Sequence, residues 1–366
     1  MLARIAQELF WLGRDLTRAE HTARMLDGAF HADVVGGASG VGAAQAGIAL
    51  SWNGVLAVIG AKPPAPGAEA AEGVVAEAAG NAPPGVLGRH EIAPLLTLDT
   101  DSPASVVSCV YRARERARTL RDVISTEMWE ALNSFYLSLG RYDLEAALAT
   151  GPYSVYQEVK ERCALFWGLL DKTMLRDEAR SFLDAGGHIE EADMVLRMLR
   201  VATPLVDQDA DPNQPPHDPS QPPQDPSQPP QDPIQPPPDH EGEALALLQA
   251  VGGFQAFRRH LRQAPTLASV GGFLLYESQY PGSVLASLEA LRDALETADP
   301  MPRSAPPVLR LGRLIADLEL HQRTARETEP FVEQLARVQG ELEVIDREID
   351  ERYFAVAVPA AVHSIM

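Results

Sequence analysis

Apolar residues recur every three or four positions along most of this chain. The clearest run lies between Val106 and Leu137. Its apolar stripe advances by three or four residues at every step, through Val106, Val110, Ala113, Ala117, Leu120, Ile124, Met128, Ala131 and Phe135. That spacing is typical of one face of an α-helix, so we predict a single continuous helix over Val106–Leu137. Ser102 and Pro103 precede it and are candidates for its N-cap and its first-turn proline.

The same spacing predicts helices in the rest of the chain. An N-terminal helix continues through Arg24–Ala32, and others are predicted over Tyr153–Leu175, Phe182–Val201, Leu245–Arg262, Ser283–Glu296, Pro307–Glu327 and Pro330–Arg352. No segment alternates apolar and polar residues as a half-buried strand does. We therefore predict an all-α fold, a multi-helix bundle with a long central helix that is interrupted by a disordered Pro-rich insertion.

The insertion is a proline tract. From Asp211 to Pro238 a seven-residue unit of the form DPSQPPQ repeats. Proline fixes φ and has no backbone N–H, so we expect extended polyproline-II chain here. The tract divides the chain into residues 1–202, the N-terminal part of a helical domain, 203–241, the disordered insertion, and 242–356, the C-terminal part of the same domain. It is interpreted either as a ligand or spacer for a proline-binding module, or as a tolerated loop insertion.

One glycine-rich stretch resembles a nucleotide-binding turn. Val34–Gly47 reads VVGGASGVGAAQAG, but a dinucleotide site needs a buried strand before the glycines and an acidic residue about twenty positions later. Here the preceding residues continue the N-terminal helix, and the loop KPPAPGAE stands where the acidic residue is expected. We interpret the stretch as a flexible loop between helices.

Composition narrows the class of partner. The chain has 31 Lys and Arg against 51 Asp and Glu, a net charge of −20, which argues against nucleic acid as a partner. The uncharged run Val34–Ala61 contains Gln45 and Asn53, so we expect no membrane span. The N-terminus lacks the apolar segment of a signal peptide, and Cys109 and Cys163 form no metal or redox motif. We expect a cytoplasmic protein without metal or cofactor.

Two segments share one pattern. Phe10–Leu26 and Ala185–Leu199 both fit G-x-x-Φ-x-x-A-[DE]-x-x-x-R-Φ-L, where Φ is aliphatic. On a helix each acid faces the arginine one turn later, which gives the pairs Glu20/Arg24 and Asp193/Arg197. These pairs are either surface salt bridges or, if both copies pack together, parts of one polar site.

Arginines flank the apolar stripe of the predicted helix over Val106–Leu137. Arg114, Arg121 and Ser125 lie along one border with Arg118 slightly further out, while Arg112 and Arg116 lie on the opposite flank. Such arginines form a pocket for carboxylates or phosphates, or they pair with acids of the chain itself. Nothing in the sequence matches a Walker loop, a nucleophile elbow, a zinc motif or a Glu-x-x-His pair.

These motifs resemble the bacterial alpha-E family of helical proteins. The matching segments are the N-terminal MLARIAQELFWLGRDLTRAEHTARML, then Leu98–Asn133, Asp171–Met194, Phe273–Leu288 and Glu351–Phe354 (ERYF). Genes of the family stand beside those for circularly permuted ATP-grasp ligases and transglutaminase-like peptidases. The resemblance therefore implies a system that forms and cleaves amide bonds, with the ligase and the peptidase as candidate partners.

The chain departs from the family at five motif positions. Thr17 and His21 stand where the family usually has Glu and Asn, and Gly187, Glu191 and Gly282 stand where it has arginine. Arginines at other motif positions are kept. The repeat, the flanking arginines and the matching positions together form a candidate polar, anion-binding set: Arg14, Arg18, Glu20, Arg24, Arg114, Arg118, Arg121, Arg176, Asp193 and Arg197.

Three functions follow as hypotheses. The first is a non-catalytic accessory protein that binds the ATP-grasp ligase or its peptide substrate, which fits the absence of catalytic motifs. The second is an enzyme of the same pathway, with its site between the Glu20/Arg24 and Asp193/Arg197 helices and Arg114, Arg118 and Arg121 assisting. The third is a scaffold that acts through the proline tract.

Overall fold

The computed structural model describes residues 1–38, 51–61, 87–151, 153–206, 241–324 and 329–355, and these contain helices and no strand. The helices are α1 Ala3–Ala38, α2 Trp52–Ile59, α3 Arg89–Thr97, α4 Val106–Thr119, α5 Thr126–Leu139, α6 Leu144–Thr150, α7 Tyr153–Thr173, α8 Glu178–Val206, α9 Glu241–Ala250, α10 Phe254–Leu261, α11 Leu267–Tyr276, α12 Val284–Ala298, α13 Pro306–Thr324 and α14 Phe331–Ile349. A 3₁₀ turn covers Pro302–Ser304 and a π turn covers Asp350–Phe354. The all-α prediction is confirmed.

The two low-complexity segments lie largely outside the described residues. The glycine-rich stretch is described only up to Ala38, where α1 ends, and the proline tract falls between α8, which ends at Val206, and α9, which begins at Glu241. Within the described ranges, no helix combines the length and the apolar character that a membrane span requires.

The helix predicted over Val106–Leu137 is wrong as a single element, because it is two helices. α4 ends at Thr119, and α5 begins after Ser125, whose hydroxyl accepts a hydrogen bond from the Met128 N–H at 3.2 Å. This N-cap starts a new helix, yet the apolar residues of the turn stay buried, so the stripe crosses the break without a change of period. The N-cap of α4 is Ser105 and not Ser102.

The predicted helix over Leu245–Arg262 is also divided. α9 ends at Ala250, and Gly252 turns the chain with a φ of 71° before α10 begins. Glycine adopts this left-handed conformation without the steric cost that a side chain brings. The long central elements of the fold are therefore α1 and α8, of 36 and 29 residues.

Glycines allow α1 and α8 to lie in backbone contact. A Cβ on Gly13 would stand 2.2 Å from the Leu183 carbonyl oxygen, and one on Gly186 would stand 1.8 Å from the Phe10 carbonyl oxygen. Contacts follow the same order along both helices: the Met1 amino group binds Glu178 near the start, and Arg18 binds Glu190 further on. The two helices, which carry the two copies of the repeated pattern, run parallel and in register.

The neighbours of α1 and α8 are arranged in the same way. In one half, α4 and α7 pack on α1, and α5 packs against both α4 and α7. In the other half, α12 and α14 pack on α8, and α13 packs against both α12 and α14. α2 packs on α8, and α9 packs on α1. The bundle therefore consists of two similar helical halves related by a pseudo-twofold axis.

The turns before α4 and α12 confirm this internal symmetry in atomic detail. The Ser105 hydroxyl donates to the Asp99 carbonyl oxygen at 2.6 Å, and the Ser283 hydroxyl donates to the Glu277 carbonyl oxygen at 2.7 Å. Both serines also cap the helix that follows. The side chains of Asp99 and Glu277 each accept a hydrogen bond from the backbone N–H two residues later, at 2.8 and 2.9 Å. Ser105 and Ser283 are therefore equivalent positions.

Candidate functional site

A buried carboxylate lies between the two central helices. Glu190 on α8 is fully buried and accepts hydrogen bonds from Arg14 Nε at 2.9 Å and from Arg18 Nε and Nη2 at 2.6 and 3.0 Å. Burial by itself raises the pKa of Glu190, but the two guanidinium groups outweigh it and hold that pKa below its ordinary value. Glu190 is thus an ionised carboxylate in the core.

Arg14 connects this carboxylate to the rest of the bundle. Its Nη1 binds both carboxylate oxygens of Asp346 on α14 at 2.8 and 2.9 Å. The guanidinium carbon lies 4.8 Å from the ring centre of Trp11, a cation–π contact. Arg14 therefore joins α1, α8 and α14.

A second carboxylate holds two arginines of α4. Asp15, whose side chain is 3% exposed, accepts hydrogen bonds from Arg112 Nε and Nη2 at 2.9 and 2.7 Å and from Arg116 Nε at 3.2 Å. Arg116 also binds Glu8 at 2.8 Å, and Arg112 donates to the Pro103 carbonyl oxygen at 2.7 Å. These bonds fix both guanidinium groups against α1.

A surface pocket opens over these groups, which we call the α1–α4 pocket. Its volume is about 350 Å³, and it is lined by Trp11, Asp15, Arg18, Pro103, Arg112 and Arg116. Three guanidinium groups and one indole ring therefore line a depression that is open to solvent. Among the described residues no group of His, Cys, Asp and Glu has a metal-binding arrangement.

The repeated acid–arginine pairs form as their spacing predicted, but they do not meet. Arg24 binds Glu20 at 2.7 Å, and Arg197 binds Asp193 at 2.9 Å. Arg24 lies against Gly252 after α9, whereas Asp193 accepts a hydrogen bond from Gln339 on α14 at 2.5 Å. In the described part of the chain no hydrogen bond or ion pair joins one pair to the other.

The remaining candidate arginines occupy a different flank of α4. Arg121 stacks on Trp129 at 4.0 Å, and Arg114 lies 5.6 Å from the Trp129 ring and 5.3 Å from the Tyr136 ring. Arg118, 59% exposed, binds Glu115 at 2.8 Å. We call this the arginine–aromatic surface, which comprises Tyr111, Arg114, Arg118, Arg121, Trp129 and Tyr136. Arg176 belongs to neither cluster: it is 84% exposed after α7, 3.9 Å from Asp171.

Of the six residues that line the α1–α4 pocket, the set of candidate site residues predicted from the sequence contains only Arg18. Sequence reasoning placed Arg112 and Arg116 on the opposite flank from the candidate arginines and did not single out Trp11, Asp15 or Glu190. The available signal was the spacing of Trp11, Asp15 and Arg18, four and then three residues apart, which places a polar stripe on one face of α1. That stripe identifies α4 as its neighbour only once the fold is known.

The equivalent position in the other half lacks the same acid–arginine cluster. By the pairing of Gly13 with Gly186, Thr17 corresponds to Glu190, Gly187 to Arg14, and Glu191 to Arg18. Thus three of the departures from the family motif fall on a single pseudo-symmetric site. A Cβ on Gly187 would stand 2.8 Å from the Trp167 ring, so Trp167 fills the space that an arginine would need.

Glu191 instead pairs with His21, and this pair couples stability to pH. The His21 side chain is buried, whereas 27% of the Glu191 side chain is exposed. The His21 Nε2 lies 3.2 Å from a Glu191 carboxylate oxygen. Burial alone lowers the pKa of His21, but the Glu191 carboxylate outweighs burial and raises it above 6.5. The pair therefore contributes fully below the unfolded-state pKa, and the contribution is lost as the pH rises through the higher folded-state value.

We expect the melting temperature of the wild type to fall relative to that of His21→Gln as the pH is raised through that range, because only the wild type loses the His21–Glu191 contribution. His260→Gln is the matched control, because His260 pairs with Glu277 at 2.9 Å on the surface, with 43% of its side chain exposed. An unchanged pH profile in His21→Gln would contradict the assignment.

The fold and the site together define a class: an all-helical protein made of two similar halves, with buried acid–arginine clusters where the two central helices meet. The chain belongs to the Alpha-E family, described as a predicted alpha-helical domain with a conserved ER motif, whose model matches residues 1–354. No curated protein and no solved structure gives a significant match.

Proposed function

We propose that this chain is a non-catalytic partner subunit in an amide-bond-forming system and that it binds a circularly permuted ATP-grasp ligase through the arginine–aromatic surface. The gene neighbourhood implied by the family resemblance supplies the identity of the partner. The surface supplies the means of binding, since tryptophan, tyrosine and arginine are the residues that dominate binding energy at protein interfaces.

One observation carries the proposal, the stacking of Arg121 on Trp129 at an exposed position. The guanidinium lies 4.0 Å from the ring centre, and no acid of the described residues forms an ion pair with it. Tyr111 and Leu137, on the same two helices, are 48% and 53% exposed. Such a surface suits an acidic partner for two reasons. Its aromatic rings are rigid, so binding costs little side-chain entropy, and the partner's acid supplies the counter-charge that the Arg121 guanidinium lacks.

The geometry gives the enzyme hypothesis less support. It requires Glu20/Arg24 and Asp193/Arg197 to share a site. Instead, Arg24 of the first pair lies against Gly252, and Asp193 of the second pair binds Gln339. The scaffold hypothesis concerns the proline tract, which lies outside the described residues, and remains a prediction.

The test is co-purification with the ATP-grasp ligase of the same genome, followed by assay of ATP turnover with candidate peptides. We expect a stable complex whose affinity falls by roughly thirtyfold in Arg121→Glu and in Trp129→Ala, the loss of a typical hot-spot residue. Arg313→Glu is the matched control, because Arg313 on α13 is 84% exposed and its ion pair with Asp317 is long, at 3.9 Å.

Two outcomes would overturn the proposal. The first is the absence of any complex, and the second is a complex that Arg121→Glu and Trp129→Ala leave unchanged. Deletion of Asp211–Pro238 distinguishes the scaffold hypothesis from this proposal. If the chain acts as a scaffold through the tract, the deletion variant should keep its helical fold but lose the complex. Circular dichroism on every variant establishes that the fold is kept.

A further inference from the structure

The α1–α4 pocket is built so that its guanidinium groups are fixed before any ligand binds. Arg18 is held by Glu190, and Arg112 and Arg116 are held by Asp15. Both carboxylates lie beneath the surface, whereas 24–31% of each arginine side chain is exposed. The negative charges therefore anchor the arginines from below and leave the outer sides of the guanidinium groups to the pocket.

Hydrogen-bond donors remain available there. Within the described part of the chain, neither Arg18 Nη1 nor Arg116 Nη2 donates a hydrogen bond to any protein atom. A guanidinium has five N–H donors in a fixed fork, and a planar carboxylate matches two of them at once. Two fixed arginines with unused N–H groups in one pocket are the arrangement that binds an oxyanion.

The charge balance distinguishes between oxyanions. Four arginines of the cluster face four acids, namely Arg14, Arg18, Arg112 and Arg116 against Glu8, Asp15, Glu190 and Asp346. Because the cluster has no excess of positive charge, Asp15 repels a phosphate dianion about twice as strongly as a singly charged carboxylate, so the available N–H groups favour the carboxylate.

The pseudo-symmetric half contains no such pocket chemistry. With Gly13 equivalent to Gly186 and Ser105 to Ser283, the positions that match Trp11, Asp15, Arg18, Pro103, Arg112 and Arg116 are Asp184, His188, Glu191, Pro281, Ala290 and Ala294. All three arginines are replaced, by an acid and two alanines. The internal duplication therefore carries one potential oxyanion site and one equivalent position without its arginines.

We propose that the α1–α4 pocket binds one carboxylate group of a small molecule or a peptide C-terminus, held by Arg18 and Arg116 beside Trp11, and that each chain binds a single such ligand. This site does not depend on the proposed ligase complex, because that complex uses the other flank of α4. Either proposal can therefore fail without the other.

The test is an NMR titration of the full chain, following the arginine Nε–H and tryptophan indole N–H signals. The probes are N-acetylglycylglycine, its C-terminal amide and inorganic phosphate. We expect the carboxylate probe to shift the Trp11, Arg18 and Arg116 signals with one-site saturation, and the neutral amide to leave them in place. Loss of one charged hydrogen-bond partner in Arg18→Gln or Arg116→Gln should weaken binding by about tenfold or more.

The control is Arg176→Gln, an exposed arginine outside the pocket, which should bind the probe as the wild type does. If a glutamine variant unfolds, Arg18→Lys or Arg116→Lys replaces it: lysine keeps the charge beside the buried acids but cannot make the forked contact, so the same loss is expected. Equal shifts with the amide, tighter binding of phosphate, or unchanged binding in the pocket variants would each overturn the proposal.

Discussion

Replacing Glu190 by glutamine is expected to lower the free energy of unfolding by about 3–5 kcal/mol, the cost of removing one partner from a buried ion pair. Glutamine has nearly the same volume, so the change removes the charge and leaves the packing. Arg14, whose side chain is only 9% exposed, would then keep Asp346 alone as its counter-charge. Urea denaturation monitored by circular dichroism measures the difference.

The matched control for Glu190→Gln is Asp171→Asn. Asp171 also binds an arginine, Arg180 at 3.0 Å, but its side chain is 49% exposed. Exposed pairs contribute little, so this variant should remain about as stable as the wild type. A Glu190→Gln variant as stable as Asp171→Asn would contradict the view that the buried network holds α1 against α8.

Acid should remove the same contribution. The folded-state pKa of Glu190 lies below 4.5, so its ionised form stabilises the fold above the unfolded-state value and loses that effect as the pH falls through the folded-state value. We expect the stability difference between wild type and Glu190→Gln to narrow in that range.

Alanine at Gly186 is expected to destabilise the protein by about 3 kcal/mol or more, or to prevent folding, although alanine is the better helix former. The added Cβ would stand 1.8 Å from the Phe10 carbonyl oxygen and 2.7 Å from its carbonyl carbon. These are backbone atoms of α1, which move only if the whole helix moves. Because α1 and α8 carry both halves of the bundle, the entire core would have to shift.

Gly168→Ala supplies the control for that prediction. Gly168 lies inside α7, and nothing stands within 4 Å of the position of its missing Cβ. There alanine should stabilise the protein by up to about 1 kcal/mol, the gain in helix propensity. Thermal denaturation measures the change in melting temperature of each variant relative to wild type, and the two changes should have opposite signs. A Gly186→Ala variant as stable as wild type would refute the close contact between α1 and α8.

The internal duplication bears on how the family motif is interpreted in this chain. Thr17, Gly187 and Glu191, which are scattered along the sequence, are the equivalents of Glu190, Arg14 and Arg18 and therefore fall at one place in the fold. In one half, Arg14 and Arg18 bind Glu190. In the other half, the Trp167 ring lies beside Gly187 and leaves no room for an arginine.

The sequence by itself determined the all-α class, most helix positions and the i,i+4 pairs of the two repeats. These are local properties, since a period of 3.6 residues and a one-turn spacing depend on neighbours in the chain. It also identified the match between Phe10–Leu26 and Ala185–Leu199. The sequence did not reveal the break between α4 and α5, because Leu120 and Ile124 in the turn are buried and continue the apolar stripe.

Only the tertiary structure decided which charges meet. Asp15 is bound to Arg112 and Arg116 from about a hundred positions away, and Glu190 to Arg14 and Arg18 from still further. Whether an arginine on a helix flank faces solvent, a ring or a buried acid depends on the helix that packs beside it, and that choice is made by the whole core. The physical reason is that an ion pair acts over a few ångströms of space, a distance that the order of residues along the chain does not encode.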